Sequence, residues 1–238
     1  MKTNYLLLIS FLITCNVVYS QSIFKAIEQK DYSKIEELAA NKSKINKTNS
    51  DGITPLWKAT LMSDTLAMNL LLKNGANPNA PTDGGTTPIF LCSENGSVES
   101  AKLLCKYGAD VNYCKNKYNL APLRQAARNG YIEVVKFLIK QGAQIEAKAE
   151  DKGTALSAAS LKGHIDIVKL LIQLGANFNI IDKDGETPLI NACSGGRTDV
   201  VKYLIEKGAD KTIKNSKGQT AIEIAQDKGF SQIVKILE

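Results

Sequence analysis

Few groups in this 238-residue chain could do chemistry: one histidine, His164, five cysteines, and 24 Asp and Glu carboxylates spread along its length. A zinc site needs several ligands at set spacings, yet no CxxC pair exists and His164 has no neighbouring ligand set. Nucleophilic or acid-base catalysis needs a reactive group beside a base, and there is no second histidine to take part. The glycines do not form a phosphate-binding loop; they recur as turn and cap residues. Asp110 and Asp210 sit where a carboxylate serves as a local turn acceptor, and His164, just after Gly163, reads as a hydrogen-bonding residue at a turn between helices. No catalytic residue, metal or cofactor is therefore expected.

The elements that carry these residues are set by repetition. A phrase of the form Gly-Ala-(Asn/Asp)-x-Asn, or a close variant, begins at Gly75, Gly108, Gly142, Gly175 and Gly208, a period of 33 or 34 residues. A helix-opening triplet keeps the same period, with its second position at Pro55, Pro88, Pro122, Ala155, Pro188 and Ala221. In the most regular unit, residues 182–212, Thr187 can cap a helix and Pro188 sits in its first turn, where a missing N–H is harmless. Leu189, Ala192 and Cys193 give that helix an apolar side, and Gly195-Gly196 ends it. Val200, Val201, Leu204 and Ile205 then form the apolar face of a second helix, closed by Gly208. Neither helix is long enough to persist alone, so each must be held by its neighbours.

These residues resemble the ankyrin-repeat family: Gly-x-Thr-Pro-Leu, an Ala, a Gly-ended turn, Val-Val-x-x-Leu-Leu and Gly-Ala-Asp follow one another almost phrase by phrase over residues 50–238, and more loosely over 22–48. The resemblance implies an all-α solenoid of stacked helix-turn-helix units with projecting hairpin turns, and a role in binding other proteins. A single domain over residues 21–238 is expected, with an N-terminal cap at about 22–48, central units over 49–214 and a C-terminal cap at 215–238. Two departures stand out. Asn119 and Lys152 replace the hairpin glycine, and Gly153 suggests a shifted register beside Lys152; the one extra residue between Gly108 and Gly142 should lengthen or bulge the hairpin near Cys114 to Leu120.

The first twenty residues read differently. Lys2 and an apolar run from Tyr5 to Tyr19, with Val18 and Ser20 ahead of Gln21, have the form of a secretory signal peptide, cleaved after residue 20. The run is short for a membrane anchor, which needs roughly 20 apolar residues. A lipid anchor at Cys15 is a weaker match, since Thr14 sits awkwardly before the cysteine. Cleavage would remove one Lys, taking the formal charge from +6 to +5. With only Arg124, Arg128 and Arg197 and no basic stripe, nucleic acid is a poor candidate partner. Cys92, Cys105, Cys114 and Cys193 would remain; Cys92 and Cys193 fall at an Ala-like inward position and Cys105 at a Leu-like one, so they read as small buried apolar residues, with their pairing undecided.

What the resemblance implies for function is a surface of hairpin tips and first-helix ends. Aromatic, aliphatic and Arg residues are the usual anchors of protein interfaces, and here they concentrate in the units starting at Asn49, Thr82 and Asn116: Trp57, Leu61, Met62, Phe90, Tyr118, Leu120, Arg124 and Arg128. Trp57, Leu61 and Phe90 could equally pack between units, whereas Tyr118 and Leu120, on a hairpin, are harder to bury. The expectation is an exported, monomeric module, secreted or periplasmic, that scaffolds or shields a protein partner. A secreted bacterial or parasite effector acting on a host protein, and an enzyme or enzyme-accessory subunit, are the alternatives.

Overall fold

A computed structural model describes residues 22–238; the signal peptide expected over residues 1–20, with Cys15, lies outside the described residues. Within them the chain forms seven helix pairs. In order these are α1 (Ile23–Gln29) with α2 (Tyr32–Ala39), α3 (Pro55–Leu61) with α4 (Thr65–Lys73), and α5 (Pro88–Asn95) with α6 (Val98–Lys106). Then come α7 (Pro122–Asn129) with α8 (Ile132–Lys140), α9 (Ala155–Lys162) with α10 (Ile165–Gln173), α11 (Pro188–Ser194) with α12 (Thr198–Glu206), and α13 (Ala221–Asp227) with α14 (Ser231–Leu237).

Local chemistry starts the first helix of each unit. Pro55, Pro88, Pro122 and Pro188 occupy the first turn, while Thr54, Thr154 and Thr187 accept backbone N–H bonds from Trp57, Ser157 and Ile190. Burial does the rest. Leu56, Ile89, Leu123, Leu156 and Leu189 from the first helices, and Met68, Leu104, Leu138, Leu171 and Leu204 from the second, belong to one continuous core with almost no exposure. Cys92 and Cys193 are buried in that core and Cys105 is half-buried against it; all four described cysteines are free thiols. Burial raises the pKa values of Cys92, Cys105 and Cys193, that of Cys193 to about 12 and that of Cys105 to about 11, which keeps these three thiols protonated.

Units are joined by three kinds of contact. First helices pack on first helices and second on second, and across the central units the first helices approach one another more closely, which bends the array with the first helices inside. The N-cap residue of each later second helix covers the turn of the unit before it. His164, for instance, lies over Gly130, where a Cβ would come within 2.6 Å of the ring, and its Nε2 stands 3.0 Å from the Arg128 carbonyl oxygen. Tyr131 over Gly96 and Phe230 over Gly196 repeat the arrangement. The last residue of the Gly-Ala phrase supplies the third contact. Asn79 accepts from the Asp110 N–H at 2.7 Å and donates to the Gly108 carbonyl at 2.9 Å, and Asn46 and Asn112 make the same two bonds one unit earlier and later.

Both sequence departures are resolved in the hairpins. Each hairpin closes on itself, as in Thr82 N–H to Thr86 O at 2.9 Å and Asp182 N–H to Glu186 O at 3.1 Å. Asn119 and Lys152 adopt φ of 50° and 59°, the left-handed conformation that glycine takes at the same place in the other units. The shifted register expected beside Gly153 is therefore not found: Ala149 N–H still bonds to Gly153 O at 3.2 Å, so Lys152 bears the conformation itself. The extra residue falls just ahead of Asn116, and the closing bond there passes to the Asn116 side chain, which donates to Leu120 O at 2.7 Å and accepts from Leu120 N–H at 2.8 Å.

Candidate functional site

The inner face carries a hollow of about 410 Å³ where three consecutive hairpins meet the ends of α7 and α9. Its apolar walls are Tyr118, Leu120, Ala158 and Leu161; its polar rim includes Arg124, Arg128, Glu150 and Lys183. A second hollow of about 270 Å³ lies one unit toward the N-terminus, floored by Phe90 and edged by Glu94 and Lys117. Tyr118, Leu120, Gln125 and Arg128 border both, forming a ridge between them.

Backbone hydrogen bonds hold the hairpin tips together behind this surface. Glu150 N–H donates to Tyr118 O at 2.9 Å, and Lys183 N–H to Asp151 O at 2.8 Å. The Asp151 side chain accepts from Gly153 N–H at 2.9 Å and from Arg124 Nη2 at 2.5 Å. Burial alone would raise the Asp151 pKa, but the Gly153 and Arg124 bonds outweigh it and hold the carboxyl below its usual value. Arg124 thus ties α7 to the next hairpin, and its buried Nε has no hydrogen-bond partner among the described residues. Glu94 is shifted the other way: burial raises its pKa and favours the neutral acid.

The eight residues singled out in the sequence separate into three groups. Tyr118, Leu120, Arg124 and Arg128 converge on the larger hollow, and Tyr118 remains 52% exposed. Phe90 is only 4% exposed, so it offers a partner a floor rather than a protruding anchor. Trp57, Leu61 and Met62 belong to the unit before and reach neither hollow; Leu61 is 46% exposed, Trp57 and Met62 are half-buried, and the buried Trp57 Nε1 has no hydrogen-bond partner among the described residues. Glu150 and Asp151, which complete the site, escaped the sequence reading. Their signal lay in the register, since the hairpin tip of one unit stands beside the first helix of the unit before.

Asp110 and Asp210 act as turn acceptors, taking the N–H bonds of Asn112 at 2.9 Å and Thr212 at 2.8 Å. Among the described residues no group of three or more His, Cys, Asp or Glu side chains is placed to hold a metal ion, and no helix is long and apolar enough to cross a membrane.

The model of the family "Ankyrin repeats (3 copies)" matches the chain three times, over residues 23–113, 112–182 and 156–238. The chain belongs to the ankyrin-repeat family. It is an all-α solenoid of the protein-interaction type, in agreement with the resemblance drawn from the repeated phrases. No curated protein matched it.

Proposed function

We propose that this ankyrin-repeat protein is exported and acts as a monomeric binding module, periplasmic or secreted, that scaffolds or shields a protein partner through its concave and hairpin surface. The observation that carries the reading is the larger hollow, in which Tyr118 and Leu161 keep 52% and 36% of their surface exposed beside two cations, Arg128 and Lys183, that have no ion-pair partner among the described residues. Apolar side chains left open in a polar setting, on a framework held rigid by neighbouring units, are what a partner can cover at little ordering cost. Export rests on the leader-like residues 1–20.

The test is affinity capture from the secreted and envelope fractions of the native organism. The bait is compared with a Tyr118→Ala, Arg128→Ala, Leu161→Ala variant whose helicity is matched by circular dichroism. A protein held by the first and lost by the second is the expected outcome. Equal capture by both, or an abundant protein with no partner at all, defeats the reading.

A further inference from the structure

The charge around the two hollows is unequal once internal pairing is removed. Arg124 and Asp151 satisfy each other. That leaves Arg128, Lys183 and Lys117 without a salt bridge among the described residues, the last with its Nζ 5.2 Å from the centre of the Tyr118 ring. Facing these three cations are two acids, Glu150 and Glu94. The surface between the hollows therefore carries surplus positive charge next to exposed apolar area.

A basic segment laid there would meet like charge on both sides of Tyr118, and an uncharged one would leave the two free cations of the larger hollow unanswered. A carboxylate placed at the rim answers them while its neighbour fills the space below. The hollow of about 410 Å³ has room for one large side chain and the backbone that carries it.

We propose that the occupant is a short acidic segment of the partner, in which a large apolar side chain seated among Tyr118, Leu120 and Leu161 is flanked by Asp or Glu residues that reach Arg128 and Lys183. The proposal rests on the docking reading above and narrows it. It assigns the anchor to the units starting at Asn116 and Ala149, and leaves Trp57 and Leu61 outside it. Arg124 is a positioning residue here, because its guanidinium holds the Asp151 hairpin that forms one wall.

The test is to pan the purified protein against a random peptide library displayed on phage, then to synthesise the most enriched peptide and titrate it calorimetrically. Enriched peptides should place Asp or Glu within a residue or two of Phe, Tyr, Trp, Leu or Ile. Binding of the synthetic copy should weaken about tenfold or more with Arg128→Glu/Lys183→Glu and separately with Tyr118→Ala, all of these side chains being exposed, and should fall as salt is added. Exchanging the peptide's acids for Lys should abolish binding to the native protein and restore part of it to the double charge-reversal variant.

Enrichment of basic or wholly polar peptides, binding indifferent to these substitutions, or no enrichment would each overturn the proposal. Those results concern short linear peptides, whereas the triple-alanine capture reads docking of a folded partner, so the two readings fail separately.

Discussion

Glu186 lies in the hairpin of the sixth unit, close after two other acids, Asp182 and Asp184. Burial first, then the charges of Asp182 and Asp184, raise its pKa, against the weaker opposing pull of Lys217 and Lys228. A carboxyl whose folded pKa lies above its unfolded value, about 4.3 for Glu, favours the fold fully only below that unfolded value, and the benefit is lost as pH rises through the folded one. Glu186→Gln should accordingly raise the melting temperature at pH 7 and leave it unchanged near pH 3; thermal melts at the two pH values check this, and equal melting at pH 7 would refute it. Asp151 obeys the opposite rule, its contribution present above about pH 4 and lost as pH falls. The sequence made Tyr118 legible because a hairpin tip has nothing above it to cover it. It did not make Phe90 legible: repeat position tells which helix a residue stands on, while its depth depends on the next unit. The Arg124 and Asp151 pair spans 27 residues and two units, beyond any local pattern.

At the scale of the element, the joint between units depends on a side chain that both donates and accepts. Asn112 does so, whereas Glu146 at the equivalent place only accepts, from Asn177 N–H at 3.0 Å, because a carboxylate has no donor for the Gly175 carbonyl. Glu146→Asn should restore the second bond and stabilise the protein by about 0.5–1.5 kcal/mol, and Asn112→Ala should cost about 1–3 kcal/mol, both read from urea unfolding midpoints. Unchanged midpoints would mean that water serves these backbone groups equally well. The repeated phrase announces the helices and their ends because capping and apolar spacing are local. Its closing Asn shows no purpose in one unit, since the atoms it holds belong to the backbone of the next.

The whole molecule is a row of short pairs, none of which buries its own apolar faces, so stability is shared between neighbours. A charge forced inward in the middle should open its surroundings before it melts the rest. Leu171→Asp, at a fully buried position of α10, should cost several kcal/mol, on the order of 3. Hydrogen exchange should rise in α9 to α12 while α3 and α4 stay protected; uniform loss of protection along the chain would show instead a single all-or-none unit. In the joints made by the closing asparagines of the Gly-Ala phrase, the bridging side chain lies upstream and the backbone it grips downstream, as from Asn79 to Gly108 and Asp110. A ribosome delivers the amino end first, so each clasp is already waiting when the stretch it will fasten emerges, and the row can close like a zip in the direction of translation.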